Sequence, residues 1–270
     1  MDAKTIFERP PVRFKHCKRG AMLFLSDDHY IGLSLDLYGE FCEGEYQLFA
    51  QILRPGMTVV DAGANIGVHT LGFAELVGPS GQVFAFEPQR ALYHLLCGNL
   101  ALNGYSRVSA FQAGLASTAR SMTVPAAELS GRVNSSGASD ARPRACEQVP
   151  TATLDSFDLV GCHFIKIDVD GMELDVLKGA SETLVKHHPV LYVANNQRSN
   201  SPDLIQWLLD QQYRLYWHLP PLYNPQNYFQ DSMNVFAGIV STNMLCVPAS
   251  LTGSIENFRE IVSAHDHWTD

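Results

Sequence analysis

Short, mostly apolar runs alternate along this chain with longer stretches of helical period, and glycine or proline marks the joints between them. The runs at 57–60, 82–86, 108–112, 163–168, 190–193, 213–217 and 235–247 predict strands. The stretches at 68–77, 89–103, 172–187 and 202–211 predict the intervening helices, with a closing helix at 255–265. Strands that are apolar on both faces and separated by helices predict an α/β fold. Its core is a doubly wound, mostly parallel seven-stranded sheet of Rossmann-like type. The last two strands have no full helix between them, so one is expected to be an antiparallel edge, able to pair with a second subunit as a homodimer.

Two segments lie outside this rhythm. Residues 1–53 carry short apolar patches and a helix-like stretch that stops at Arg54-Pro55-Gly56, which reads as an N-terminal extension packed on a domain spanning 54–270. The segment 117–150 is rich in Ser, Ala, Gly and Pro and is too long for a structureless loop. It predicts a hairpin or lid insertion with arms at 121–125 and 145–150 and a tip around Asn134.

Composition narrows the classes without choosing a function. At 270 residues the chain is long enough for one large core, and 46% hydrophobic with 17% charged residues excludes a disordered, collagen-like or disulfide-scaffold protein. A formal charge of -9 disfavours nucleic acid as the main partner. The six cysteines are scattered, with no C-x-x-C pair and no zinc spacing. No run approaches the roughly 18 apolar residues of a membrane span, and Met1-Asp2-Ala3-Lys4 opens no signal-like apolar region. The expectation is a cytoplasmic protein without a membrane span.

The chemistry is expected at the turn after the first strand of the alternation, Asp61-Ala62-Gly63-Ala64-Asn65-Ile66-Gly67, where a doubly wound sheet binds its ligand. Glycines let the backbone approach a ligand, and the free N–H groups of the helix start can face a polar group. A dinucleotide fingerprint wants a glycine where Asn65 stands and an apolar residue where Asp61 stands. A cofactor with a cationic amino-acid end suits Asp61 better. Glu87, ending the second strand, is placed to accept the two hydroxyls of a ribose. Together they point to S-adenosyl-L-methionine; the plainer alternatives are a helix N-cap for Asp61 and a solvated strand end for Glu87.

On these residues, on Ala85-Phe86-Glu87-Pro88, on Thr153-Leu154-Asp155 and on Ile165-Lys166-Ile167-Asp168-Val169-Asp170-Gly171-Met172-Glu173, the chain resembles the FkbM-type S-adenosylmethionine-dependent methyltransferases. The resemblance implies a class I methyltransferase sheet and O-methylation of a hydroxyl on a sugar or natural product such as a polyketide or glycolipid. It implies that Asp61, Gly63, Asn65, Gly67, Glu87 and Pro88 bind the cofactor, with Gly114 and Leu115 near its adenine. Similar chains carry Glu-Asn-Asp at the end of the fifth strand, where this one carries Ala194-Asn195-Asn196.

Methylating an alcohol means removing a proton of pKa ~15.7, so a base or a metal is expected beside simple positioning. Asp168 is expected at the cofactor's methionine end and Asp170 as the base, with His218 behind it. Asp168, Asp170 and Asn195, on neighbouring strand ends, are also a candidate Mg²⁺ set. The simpler reading is that Asp170 caps the following helix. A small-molecule or glycan acceptor is expected against Tyr38, Glu45, Asn134, Asn195 and Trp217. Two other classes remain open: a cofactor-binding scaffold that has lost catalysis, motivated by Ala194 and Asn196, and an NAD-dependent oxidoreductase, opposed by Asp61 and Asn65.

Overall fold

Side chains alternate across a strand, so a sheet covered on both faces needs apolar residues at odd and even positions alike. The central strands meet this demand: Val59 and Val60, Phe164 and Ile165, and Leu191 to Val193 are all buried. A computed structural model of the chain describes residues 5–9, 11–126, 146–253 and 255–269. It opens with a small antiparallel sheet of β1 (Thr5–Arg9), β2 (Val12–Cys17) and β3 (Gly20–Leu25), followed by α1 (Ile31–Tyr38) and α2 (Glu43–Ile52). The alternation then runs β4 (Thr58–Ala62), α3 (Val68–Val77), β5 (Gln82–Phe86), α4 (Arg90–Leu102) and β6 (Val108–Phe111). A side sheet of β7 (Gly114–Leu115), β8 (Ser121–Pro125) and β9 (Cys146–Ala152) interrupts it. The chain continues through β10 (Phe164–Ile167), α5 (Glu173–Lys178), α6 (Ser181–His187), β11 (Val190–Ala194), α7 (Ser201–Asp210), β12 (Tyr213–His218), β13 (Asn243–Pro248) and β14 (Arg259–Ile261).

The main sheet has the order β14-β12-β13-β11-β10-β4-β5-β6. From β6 to β11 every pairing is parallel, whereas β13 runs antiparallel to both β11 and β12, and β14 antiparallel to β12. The doubly wound α/β expectation holds, with three corrections. Eight strands are present rather than seven. The antiparallel strand lies inside the sheet, all six of its residues buried, so the edge expected to pair with a second subunit is not an edge. The run 255–265 gives β14 and turns instead of a helix, because β12 leaves a free edge that Arg259–Ile261 fills.

The long helix expected over 172–187 is also two helices. They break at Gly179, where an added Cβ would lie 2.0 Å from the Ala116 carbonyl oxygen, so the backbone just after β7 occupies the place of a side chain. Asp155 then caps the second helix, accepting from the backbone N–H groups of Glu182 at 3.0 Å and Thr183 at 2.8 Å. The N-terminal sheet is tied to α4 by asparagines one turn apart. Asn99 bonds both backbone groups of Leu23, and Asn103 both backbone groups of Ala21, so two amide side chains extend the β3 edge as a strand would. Among the described residues no helix is long and apolar enough to cross a membrane.

Candidate active site

The turn between β4 and α3 is shaped by close approach. Gly63 has φ +79°, and a Cβ there would sit 1.9 Å from the Asp168 carbonyl oxygen, so the turn and the end of β10 touch through backbone alone. Asn65 also takes a left-handed conformation, φ 51°, which asparagine tolerates better than most residues, and its Oδ1 accepts the Ile66 N–H at 2.8 Å. Gly67, at φ +89°, opens α3, with Leu96 packed where a side chain would be.

Asp61 does not present a free carboxylate. It is fully buried, accepts the Thr70 hydroxyl at 2.6 Å, and pairs with the Lys166 ammonium at 3.2 Å. Lys166 lies opposite Asp61 in register on β10 and also donates to the Gly63 carbonyl at 3.0 Å. Burial works against this ammonium, but the carboxylates of Asp61 and Asp168 outweigh it and hold its pKa above the ordinary lysine value. The cationic partner expected from a ligand is therefore supplied by the chain itself. Lys166 was the missed residue, and its signal was a lysine inside an otherwise apolar strand, which must find an anion when buried.

Glu87 is the contrasting case. It is buried rather than a solvated strand end, and its two oxygens accept the backbone N–H groups of Asn65 and Gln89, each at 2.9 Å. Burial pushes its pKa up to about 7 against the pull of those two N–H groups. Pro88 lies near Gly114, whose position is crowded by Met122, Thr151 and Pro88 in turn. The Leu115 side chain is buried in the core behind the sheet, which leaves its backbone as the part able to meet a ligand.

Beyond β10 the strand ends at Ile167 and the chain turns sharply, with Asp170 at φ 51° and Gly171 at φ 98°. The extended geometry that would send Asp168 and Asp170 the same way does not persist. Both are exposed. Asp170 does not cap α5 either; Glu173 reaches back instead to the Val169 and Gly171 N–H groups at 3.2 and 3.1 Å. Desolvation within this turn, then the charges of Asp168 and Glu173, push Asp170 up to about 6. Asn195 is buried and its amide points into the protein, donating to Ser201 Oγ at 2.9 Å and toward Met244 Sδ at 3.2 Å. The Mg²⁺ set therefore does not converge, and among the described residues no group of three or more His, Cys, Asp or Glu could hold a metal ion. A cavity of about 240 Å³ lies on the far side of the turn, between Gly171, Asp175, Lys178, Asn200 and Asp203.

The expected acceptor residues separate. Tyr38 is buried, its hydroxyl donating to the Met233 carbonyl at 2.8 Å and accepting the Val235 N–H at 3.0 Å, so it anchors the 219–240 loop rather than facing a substrate. Trp217 is buried on the α5–α7 face against Trp268. Glu45 is buried in a polar cluster, paired with His69 at 2.8 Å and accepting Ser241 Oγ at 2.6 Å and Asn243 Nδ2 at 2.8 Å. Asn134 lies outside the described residues. His218 closes β12, level with Asn243 and Ala194, and its Nδ1 meets the Tyr192 hydroxyl at 2.8 Å. Three strand spacings, ~14 Å, separate its strand from β10, so it stands apart from Asp168 and Asp170.

Residues 61–215 match the family model described as Methyltransferase FkbM domain. Among curated proteins the chain is 32% identical over 162 residues to "Methyltransferase sdnD" of Sordaria araneosa, covering 46% of this chain and 60% of that protein. It is 28% identical over 146 residues to "Methyltransferase 1" of Beauveria bassiana, covering 46% and 58%. The chain thus spans less than two thirds of the length of these relatives. A crystal structure of a precorrin-6y C5,15-methyltransferase from Geobacter metallireducens shares the fold, with TM-score 0.50 and 12% identity over 75% of this chain and 87% of that one. A methyltransferase FkbM from Methylobacillus flagellatus aligns with TM-score 0.49 and 20% identity over 75% and 50%. The matched segment takes in the Asp61 turn, Glu87, the Asp168–Glu173 turn and four parallel strands beyond β4, more than half of the chain, and the chain belongs to the FkbM methyltransferase family.

Proposed function

We propose that this chain binds S-adenosyl-L-methionine and transfers its methyl group to a hydroxyl oxygen of a sugar or natural-product acceptor, a polyketide or glycolipid. Glu87 carries the reading. Among the described residues this buried carboxylate is held by two N–H donors, which leaves lone pairs for a pair of ribose hydroxyls. The Gly63–Gly67 turn brings backbone N–H groups beside it, and Pro88 with the Gly114 and Leu115 backbone forms the adjoining wall for an adenine. Asp61 acts through Lys166, locking the turn to β10, while Asp168 faces the methionine end.

The cofactor, once bound, supplies an electrophilic methyl carbon. What remains for the chain is to orient the acceptor and take its proton. Asp170 suits this second task, because its raised pKa brings it closer to neutrality than an ordinary aspartate while its exposure leaves it reachable. The protein works in this reading as a cytoplasmic enzyme, where scattered thiols stay reduced.

Calorimetry with S-adenosylhomocysteine and S-adenosylmethionine tests the cofactor half. Absence of binding, or tighter binding of NAD, would sink it. Radiolabelled methyl transfer to a panel of glycans and hydroxylated natural products tests the rest. There Asp170→Asn should lower kcat by about 10²–10⁴-fold with cofactor affinity unchanged. A second reading, a cofactor-binding protein without catalysis, draws on the small, buried Ala194 at the end of β11. Ala194→Glu would raise turnover if that position disabled the enzyme, and equal activity before and after counts against it.

A further inference from the structure

Asparagine and aspartate enter the left-handed region most readily when their short side chains bond locally, and the carboxyl edge of the sheet holds one residue with that support and one without. Asn65, φ 51°, has it, since its Oδ1 accepts the Ile66 N–H at 2.8 Å. Asp170 has the same φ, 51°, but its exposed carboxylate accepts no hydrogen bond among the described residues. The conformation of Asp170 is therefore imposed from outside the residue. Strain of that kind persists only where the surroundings over-determine it, and it gathers at functional sites.

Two side chains supply the constraint. Glu173, the first residue of α5, is buried and turns one oxygen, Oε1, back onto the turn, where it accepts the N–H groups of Val169 at 3.2 Å and Gly171 at 3.1 Å. These donors lie one on each side of Asp170, so the backbone closes around the oxygen as a nest of N–H groups closes around an anion. From the other side Asn200, on the loop after β11, donates through Nδ2 to the Gly171 carbonyl at 3.3 Å and to Gln197 Oε1 at 3.1 Å. The Gln197 amide lies against Gly171, where a Cβ would be 2.6 Å from Oε1. The near end of the turn is tied to β4 by the Asp168 N–H, which donates to the Ala62 carbonyl at 3.0 Å. The turn is thus held at Asp168, Val169 and Gly171, on both sides of a side chain that makes no bond of its own. Beyond burial, the charges acting on Asp170 are those of Asp168 and Glu173, which raise its pKa, and Lys166, which lowers it. Glu173 therefore acts through its hydrogen bonds and through its charge.

We propose that Glu173 and Asn200 are positioning residues that hold Asp170 in this left-handed turn, with its carboxylate free at the carboxyl edge of the sheet to take the proton of the acceptor hydroxyl. The proposal rests on the methyl-transfer reading and adds to it the residues that place the base. The proton passes from the hydroxyl to an Asp170 oxygen as the hydroxyl oxygen bonds the methyl carbon and the bond from that carbon to sulfur breaks, its electron pair leaving with sulfur. A base acts only within hydrogen-bond reach of its proton, so a displaced carboxylate costs rate while leaving substrate binding in place.

Spectra of ¹⁵N-labelled protein, recorded with S-adenosylhomocysteine present, report the turn directly, because a positive φ brings a residue's N–H close to its own Hα and gives a strong cross-peak between them. That cross-peak should be strong at Asp170 in the parent and in Glu173→Gln, whose amide oxygen still accepts both N–H groups, and weak in Glu173→Ala. A weak cross-peak in the parent, or a strong one in Glu173→Ala, overturns the positioning role. Methyl transfer to the best acceptor of the panel should fall about 10²-fold in kcat for Glu173→Ala with KM little changed. Asn200→Ala, at an exposed position, should keep its fold and lose less, and an unchanged kcat removes Asn200 from the proposal. Glu173→Gln should keep most of kcat, while the acid limb of its pH profile, set by Asp170 at about 6, moves to lower pH because one of the charges raising it is gone. An unmoved limb, or a kcat as low as that of Glu173→Ala, leaves Glu173 a structural role alone and rejects the proposal. Should Glu173→Ala fail to fold, the other two variants still decide. Calorimetry with S-adenosylhomocysteine on the same samples keeps the two readings apart: failure of the parent to bind it counts against methyl transfer, and the cross-peak is read regardless.

Discussion

Glu45 and Glu87 are equally buried, each 4% exposed, yet their carboxyl groups are driven in opposite directions, one down to about 2 and the other up to about 7. Glu45 belongs to the antiparallel side of the sheet, where side chains from α3, β13 and the loop before it converge on it. Glu87 belongs to the parallel side, where among the described residues two backbone N–H groups bond it, and the nearby charges of Lys166 and Asp61 act in opposite directions without offsetting its burial. Burial sets the cost of a charge, and the partners decide whether it is met. A carboxylate whose partners are all in the protein organises structure. One left short of partners is what the methyl-transfer reading assigns to a ligand.

The largest test of this contrast is on the charge that completes the parallel side. Lys166→Met leaves Asp61 buried and uncompensated, and urea unfolding should show a loss of about 3–5 kcal/mol. The double variant Lys166→Met with Asp61→Leu should recover most of it, since it removes both charges. Next in size is the contrast itself. Glu45→Gln should cost about 2–3 kcal/mol through its lost charged hydrogen bonds, whereas Glu87→Gln at pH 8, where the native carboxyl bears a charge against burial, should cost nothing and stabilise by up to about 3 kcal/mol. Equal losses would erase the distinction.

The pH dependence sharpens it further. Native Glu45 holds its charge below the pH at which the unfolded chain loses it, so its contribution is present above pH 4.5 and is lost as the pH falls toward 2. Native Glu87 keeps its proton longer than the unfolded chain does, so its contribution is full below pH 4.5 and is lost as the pH rises through 7, about 3 kcal/mol at most. Glu87→Gln should flatten stability between pH 5 and 7, and leave the acid limb below 4.5 unchanged. The smallest effect is on the ligand: if the ionised form of Glu87 takes the ribose, S-adenosylhomocysteine affinity should rise roughly tenfold from pH 6 to 8, and Glu87→Gln should remove that rise.

Much of the parallel half was legible because its parts are local. A strand, a glycine turn and a helix start follow one another within about a dozen residues, so the Asp61–Gly67 turn and the position of Glu87 could be read in order. Lys166 was printed in the same motif as Asp168, but its role appears only when β10 lies beside β4. The Mg²⁺ set failed for a local reason, since Asp170 leaves the strand in a left-handed turn, and for a distant one, since Ser201 and Met244 take the Asn195 amide.

The antiparallel half was not legible in the same way. Its contacts join residues nearly two hundred positions apart, such as Glu45 with Asn243 and Tyr38 with Met233. No periodicity announces a pairing of that kind, and the expected edge strand proved to be an inner one because Asn243–Pro248 inserts between two others. The sequence by itself determined the alternation of elements and the glycine turn after β4, because backbone propensity and strand-turn-helix spacing are short-range, and its motifs carried the family resemblance. Only the tertiary structure decided which buried charges are met and which are left waiting, because that depends on groups the fold brings together from distant parts of the chain.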